Sequence, residues 1–390
     1  MAVPHQSDVP TFLAPSHERL EFVPGSIVVR VHESVSEPFE FLQREAGAHT
    51  IDALDAELNV VGLDDRAVSP ELLRTVESSP AVAFAERIPA RWLSAAAADP
   101  RHNRQWGLRA IRWFDAAPPD AGEVTVAVCD TGVDREHPDL AGAVASYDHT
   151  GATATDLVGH GTHVSGIIAS RTDDEAGVVG VAGCRVAMWK VFPDEPLQGN
   201  FYVDGARFLR ALDAVAKSGA KALNLSLGGT QSSQAEQLLF ERLERAGVTV
   251  VAAMGNEHDH GNPREYPAAY EHVLAVGAVA ETNRRSPFSN TGAHIGIAAP
   301  GSNVLSTLPT KPSPYRPDTR YASWSGTSMA TPHVAAAAAL LAAQHPDWTP
   351  ADTKEQLRKS AAGVAGMGGK DFTEEFGDGL LDIAALLASD

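Results

Sequence analysis

Three short motifs carry side chains that together can activate a serine hydroxyl. Asp130 follows the apolar run 124–129, His160 stands between two glycines, and Ser328 stands in the motif Ser-Gly-Thr-Ser-Met. A serine hydroxyl is a weak nucleophile that needs a base within hydrogen-bond reach, and the base needs a third group to fix its tautomer. These residues therefore supply a nucleophile, a base and an orienting carboxylate.

An amide side chain offers a fourth chemical function. Asn256 follows the apolar run 248–253, close to the point where a strand is expected to end. An amide N–H placed there can donate a hydrogen bond to the negative charge that develops on a carbonyl oxygen under attack.

The elements that must position these groups are predicted as alternating strands and helices. Mostly apolar runs are typical of parallel strands covered on both faces, and they occur at 124–129, 186–192, 222–227, 248–253 and 273–278. Helical patterns follow at 163–169, 203–217 and 233–246. The alternation predicts a doubly wound α/β domain with a mostly parallel sheet, in which reactive groups gather at the carboxyl ends of the strands.

A different pattern precedes this domain. Strand-like segments at 26–31, 50–54, 57–63 and 81–86 alternate with helix-like segments at 36–46 and 69–77, in the order β-α-β-β-α-β. This is the order of a small ferredoxin-like α+β domain. We therefore divide the chain into a loose tail (1–20), a ferredoxin-like domain (21–93), an exposed, cleavable connector (94–98) and an α/β domain (99–390).

Composition restricts the classes of partner. The chain has 390 residues, with 31 Lys and Arg against 50 Asp and Glu, and a formal net charge of −19. Nucleic acid and anionic membranes both attract clustered positive charge, so we expect neither as a partner. No apolar run approaches the roughly 20 residues of a membrane-spanning helix. The N-terminus lacks a signal pattern, so we expect a cytoplasmic protein, or a secreted one whose leader is missing from this sequence.

Taken together, the motifs resemble those of the subtilases, the subtilisin-type serine proteases. They are Asp-Thr-Gly at Asp130, Gly-His-Gly-Thr-His-Val at His160, Gly-Asn at Asn256 and Gly-Thr-Ser-Met-Ala-Thr-Pro at Ser328. The resemblance implies a serine endopeptidase that cleaves extended protein segments through an acyl-enzyme. Asp130 would orient His160, His160 would act as base and then acid, and Ser328 would be the nucleophile. Asn256 and the backbone N–H of Ser328 would form the oxyanion hole.

The resemblance also implies where a substrate binds. The residues that match the two backbone segments flanking an extended peptide are Ser226, Leu227 and Gly228 on one side and Ala252, Ala253 and Gly255 on the other. Walls of glycine and alanine predict a roomy, mostly apolar pocket. Met254 stands where the family usually has alanine or glycine, and we interpret it as filling the core.

The ferredoxin-like domain is similar to the family's propeptide, which assists folding and inhibits the enzyme. The resemblance implies a self-processing zymogen in which residues 1–98 block the site of the same chain. We expect self-cleavage between Trp92 and Asp99, just after Leu93 or Ser94, because Leu93 suits an apolar pocket. Other expected partners are protein or peptide substrates, and we expect the chain to act as a monomer.

Calcium is implied by the resemblance as a structural ion, whereas no cofactor is expected for the chemistry. Asp139 matches a ligand position, Asp173 and Asp174 lie in an acidic loop, and Asp99 would add an oxygen from the start of the catalytic domain. Carboxylates are hard ligands of the type that calcium prefers. A merely solvated acidic loop is the alternative.

Two other functions share this scaffold. A transpeptidase or peptide macrocyclase would resolve the acyl-enzyme with an amine, but the stretch 130–160 has no room for a large capping insertion. A catalytically silent binding protein would lack a member of the triad, and none is missing.

A zinc site at His160 and His163 is disfavoured because the chain has no His-Glu-x-x-His motif.

Overall fold

The structure of this protein is a computed structural model, which describes most of the chain beyond residue 104. The described residues are 22–31, 51–55, 60–64, 74, 76–89, 104–149, 151–171, 177–195, 201 and 203–388. The chain divides into two compact units, residues 13–95 and a larger one that contains residues 96–390. The predicted tail, connector and first helix fall outside the described residues.

The smaller unit contains a four-stranded antiparallel sheet. Its strands are β1 (Phe22–Val31), β2 (Ile51–Asp55), β3 (Val60–Asp64) and β4 (Val82–Pro89). They lie in the spatial order β2-β3-β1-β4, with each adjacent pair antiparallel. Placing the first strand between the third and the fourth is the arrangement of a ferredoxin-like sheet, as the sequence predicts.

A seven-stranded parallel sheet forms the centre of the larger unit. Its strands are β5 (Thr125–Asp130), β6 (Val144–Asp148), β7 (Arg185–Lys190), β8 (Ala222–Leu225), β9 (Thr249–Ala253), β10 (Val273–Val279) and β11 (Ile295–Pro300). The spatial order is β11-β10-β9-β8-β5-β7-β6. From β5 the chain crosses to the edge strand β6, returns through β7, and then passes to β8 on the other side of β5 and outward to β11, so a crevice opens at the carboxyl ends of the central strands β5 and β8. This confirms the predicted doubly wound α/β class.

Helices cover the sheet. They are α1 (Trp106–Ala110), α2 (His160–Ala169), α3 (Gly205–Val215), α4 (Gln234–Arg245), α5 (Thr327–Gln344), α6 (Pro350–Lys359) and α7 (Ile383–Ala388). Helix α5 is almost wholly buried, and its small alanines at 335–339 let it pack closely into the core beside the sheet. None of the described helices is long and apolar enough to cross a membrane.

A two-stranded antiparallel hairpin precedes α5. Its strands are β12 (Val304–Thr307) and β13 (Tyr321–Trp324). The hydroxyl of Thr307 donates to the carbonyl oxygen of Thr162 in α2 at 2.8 Å, so the hairpin is bonded to that helix. The segment that leads into α5 is thereby fixed next to the start of α2.

Candidate active site

Asp130 lies at the carboxyl end of the central strand β5 and is buried. Its Oδ1 accepts the N–H of Thr131 at 2.7 Å, and its two oxygens lie 2.8 and 3.0 Å from Nδ1 of His160. Because an ionised carboxylate only accepts hydrogen bonds, Nδ1 carries the proton and Nε2 of the neutral ring is available as a base.

One buried carboxylate holds the loop in front of His160. Asp156 Oδ1 accepts the hydroxyl of Thr131 and the N–H of Gly159, both at 2.8 Å. Asp156 Oδ2 accepts the N–H of Thr162 at 2.9 Å and its hydroxyl at 2.6 Å. The start of α2 is therefore tied to the end of β5 on both sides of His160.

The glycines around His160 are required by the backbone. Gly159 precedes α2 with φ +89°, a left-handed conformation that glycine adopts without strain. A Cβ on Gly161 would collide with the carbonyl oxygen of Gly132 and would lie 3.0 Å from Cβ of Asp130. The absence of these side chains allows α2 to approach β5 closely enough for the Asp130–His160 hydrogen bonds.

Two opposing effects set the pKa of His160. Burial lowers the pKa, but the charge and hydrogen bond of Asp130, aided by the charge of Asp156, raise it above the usual 6.5. A raised pKa stabilises the imidazolium that a base becomes once it has accepted a proton. The His160 side chain keeps 24% of its surface exposed, so its ring remains accessible from the crevice.

Trp324, at the end of β13, lies beside both histidines of the motif. Its ring stacks on His163 with centroids 4.9 Å apart and lies 6.3 Å from the ring of His160. His163 is fully buried, its Nε2 lies 3.1 Å from the carbonyl oxygen of Ala322, and burial lowers its pKa to about 3. His163 is therefore a neutral packing residue, and nothing in the motifs indicated Trp324.

Ser328 lies in the first turn of α5 and is partly exposed. Its hydroxyl donates to the carbonyl oxygen of Ser226 at 3.2 Å, while the hydroxyl of Ser226 donates to the carbonyl oxygen of Ser328 at 2.8 Å. This reciprocal pair holds the start of α5 against the segment that follows β8. Ser226, expected only to bind substrate, thus also positions Ser328.

The amide of Asn256 has a defined orientation. Its Oδ1 accepts the N–H of Thr327 at 2.8 Å and the Thr327 hydroxyl at 3.0 Å. The same hydroxyl accepts the N–H of Gly255 at 3.2 Å. With Oδ1 bonded in this way, Nδ2 lies near Gly326, 3.6 Å from where a Cβ on that glycine would be. The N–H donors of Asn256 Nδ2 are therefore directed toward the start of α5, where Ser328 lies.

The two expected substrate segments leave adjacent parallel strands. Leu225 at the end of β8 pairs with Ala252 of β9, so the segments that follow begin side by side. The side chains of Ala252 and Ala253 are buried, whereas Gly228 is exposed. Met254 is also buried and packs in the hydrophobic core, which confirms the interpretation that it fills core space.

Glu265 reaches this region from a loop that the sequence did not connect with the site. Tyr266 and Gly229 exchange two backbone hydrogen bonds, of 2.9 and 2.8 Å, which place Glu265 beside Gly228. A Cβ on Gly228 would lie 2.6 Å from Glu265 Oε2, and a Cβ on Gly255 would come still closer to Oε1. The carboxylate therefore lies between the two segments, and the expectation of a mostly apolar pocket is wrong.

Asp139, the one expected calcium ligand among the described residues, is buried and bonded to protein donors. Its Oδ1 accepts the N–H of Gly177 at 3.1 Å and the hydroxyl of Tyr321 at 2.7 Å, and its Oδ2 accepts the N–H of Val178 at 2.7 Å. Both oxygens thus serve protein donors, while Oδ2, which accepts a single N–H, keeps a lone pair, so calcium at Asp139 stays a prediction. No group of three or more His, Cys, Asp or Glu residues suited to a metal occurs in the described part of the chain. The other expected ligands, Asp99, Asp173 and Asp174, lie outside the described residues.

Comparison with known proteins gives close relatives. The Subtilase family model matches residues 121–379. A subtilisin from Bacillus pumilus is 35% identical over 266 residues, which cover 67% of this chain and 90% of that protein. Subtilisin E from Bacillus subtilis (strain 168) is also 35% identical over 266 residues, covering 67% of this chain and 65% of that protein.

Solved structures are similar as well. Fervidolysin from Fervidobacterium pennivorans, a keratinolytic enzyme related to subtilisin, has a TM-score of 0.66 and 25% identity, covering 97% of this chain and 63% of that chain. A protease from Pseudoalteromonas arctica has a TM-score of 0.63 and 26% identity, covering 75% of this chain and 99% of that chain. The family model spans well over half of this chain and includes all four motifs. The chain therefore belongs to the subtilase family, the subtilisin-type serine endopeptidases.

Proposed function

We propose that this chain hydrolyses peptide bonds in extended protein segments through an acyl-enzyme formed on Ser328. The observation that carries the proposal is the 2.8 Å contact between buried Asp130 and Nδ1 of His160. That contact fixes the tautomer in which Nε2 can accept a proton.

The steps follow from the side chains in the crevice. The Ser328 hydroxyl turns from the Ser226 carbonyl toward His160, which takes its proton as the oxygen attacks the peptide carbonyl carbon. The resulting oxyanion accepts hydrogen bonds from Asn256 Nδ2 and from the N–H of Ser328. His160 then returns the proton to the leaving amine, and a water molecule activated by His160 hydrolyses the ester.

Replacement of the nucleophile tests this function. Ser328→Ala is expected to leave a folded protein with kcat lowered about 10⁶-fold, the magnitude known for subtilisin itself rather than one derived from this structure. Ser232→Ala is the matched control, because Ser232 is exposed and stands outside the four motifs. Comparable turnover in Ser328→Ala would refute the assignment. Mass spectrometry of the products separates hydrolysis, which yields free acids, from transfer to an added amine, which yields joined peptides.

We further propose that the chain is a self-processing zymogen. The support is the ferredoxin-like order of the smaller unit, together with the small-residue connector at 94–98 that separates it from the catalytic unit. Tethering raises the effective concentration of residues 1–98 to the order of millimolar, so even a weakly binding segment inhibits. Cleavage just after Leu93 was expected because leucine suits an apolar pocket. The carboxylate of Glu265 makes the pocket acidic, so that reason no longer applies. The run of small residues at 94–98 still favours cleavage between Trp92 and Asp99.

Incubation of the purified chain tests the zymogen proposal. Ser328→Ala should remain at 41.1 kDa, whereas the unaltered chain should yield a fragment that begins in the connector. The masses and N-termini of the products provide the measurement. An unaltered chain that stays intact and is fully active on a peptide would show that the first 98 residues are an accessory domain and not an inhibitor.

A further inference from the structure

A buried carboxylate lies between the two segments expected to hold the substrate. Only 7% of Glu265 is exposed, and its two oxygens face opposite walls, Oε2 toward Gly228 and Oε1 toward Gly255. Asn290 Nδ2 donates to Oε1 at 3.1 Å, and the N–H of Asn290 donates to the carbonyl oxygen of Gly255 at 3.1 Å. The side chain is therefore held in place by the wall itself.

No cation of the protein balances this carboxylate among the described residues. The charged group that acts on it is another acid, Glu257, which follows Asn256 and is exposed. Burial and Glu257 raise the pKa of Glu265 to about 8, whereas the pKa of Glu257 is lowered. The pair therefore retains a proton near neutral pH, in a position where a positive charge would be strongly favoured.

We propose that Glu265 makes this enzyme select peptide bonds that follow a lysine or an arginine, by receiving the cationic side chain between Gly228 and Gly255. The inference rests on the proposed protease function and names its substrate class. Lysine and arginine have long apolar stems that can lie along the pocket walls while the charged group reaches the carboxylate. A leucine there would leave the buried carboxylate without a cationic partner, and an acidic residue would be repelled.

The proposal predicts a pH dependence for selectivity. The groups that act on Glu265 are Glu257 and the neutral amide of Asn290, and His260 in turn acts on Glu257. A bound ammonium group displaces the proton held by the two acids. The preference for lysine over leucine should therefore grow as pH rises from about 6 to about 9, a range in which free lysine stays charged.

Matched peptides that differ only in the residue before the scissile bond test the proposal. With lysine, leucine or glutamate at that position, kcat/KM should be highest for lysine. Glu265→Gln should lower the value for the lysine peptide about 100-fold, in line with the loss of one partner of a buried charge pair. The leucine peptide should change little. Glu271→Gln, at an exposed acid at the far end of the same connection between β9 and β10, is the matched control and should alter neither value.

Binding without turnover separates this inference from the proposed function. In Ser328→Ala the tethered residues 1–98 compete equally with any peptide, so a product peptide that ends in lysine should still bind more tightly than the same peptide ending in leucine, as measured by calorimetry. If the unaltered chain cleaves nothing while this binding preference is observed, the protease proposal fails and the pocket assignment stands. Equal or reversed binding, or cleavage of the leucine peptide in preference to the lysine peptide, would overturn the assignment even where Glu265→Gln fails to fold.

Discussion

His333 provides a measure of how strongly acid destabilises the catalytic unit. The residue lies in α5, is buried, and its Nδ1 donates to the carbonyl oxygen of Met329 at 2.9 Å. Burial lowers its pKa to about 4, against 6.5 in an unfolded chain. Below pH 6.5 the unfolded state therefore binds a proton at His333 that the folded state does not bind. The free energy of unfolding consequently falls as pH falls.

The size of the effect follows from those two values. Each unit of pKa difference is worth about 1.36 kcal/mol, so moving from pH 8 to pH 5 removes about 1.36 × 1.5, or about 2 kcal/mol, of the free energy of unfolding. The result is insensitive to the folded-state pKa as long as that pKa lies well below 5. In His333→Gln this part of the pH dependence should disappear.

Urea unfolding followed by tryptophan fluorescence is the assay. Both chains should carry Ser328→Ala, so that self-digestion does not affect the curves. The unfolding free energy of the parent should drop by about 2 kcal/mol more than that of His333→Gln between pH 8 and pH 5. Equal pH dependence in the two chains would show that His333 is protonated in the folded state, and the reasoning from burial would be refuted.

Further predictions concern catalysis. Asn256→Ala should lower kcat about 10²–10³-fold with little change in KM, a magnitude taken from subtilisin itself. Steady-state kinetics is the measurement. A change confined to KM would assign Asn256 to substrate binding instead. Thr327→Val should lower kcat about tenfold, because the Asn256 amide loses the hydroxyl that orients it. Thr327→Ser keeps a hydroxyl and should retain the original kcat. A low kcat in Thr327→Ser would exclude a positioning role for the hydroxyl. In a pH–rate profile, kcat/KM should fall as pH drops through the raised pKa of His160, above 6.5, because the protonated ring cannot accept the Ser328 proton. An optimum below about pH 4 would contradict a histidine base.

Much of the fold was predictable because the signals for it are local. A strand covered on both faces must be apolar along its length, so the run at 124–129 predicts β5 (Thr125–Asp130) to within one residue. The two-stranded hairpin and the two edge strands, β6 and β11, were not predicted. Strand β6 (Val144–Asp148) is partly exposed along its whole length, so its residues carry no apolar run for a local pattern to detect.

The sequence by itself determined the fold class and the residues of the candidate triad, since apolar strand runs and the short motifs around Asp130, His160 and Ser328 are local patterns that can be read without the fold. Only the tertiary structure decided what the triad and the pocket face. Glu265 lies in a loop without periodicity and meets Gly228 only because Tyr266 pairs with Gly229. Asp139 is engaged by Tyr321, 182 residues further along the chain. Whether a carboxylate binds a metal, receives a cation or accepts hydrogen bonds depends on which distant segments surround it, and no local pattern encodes that.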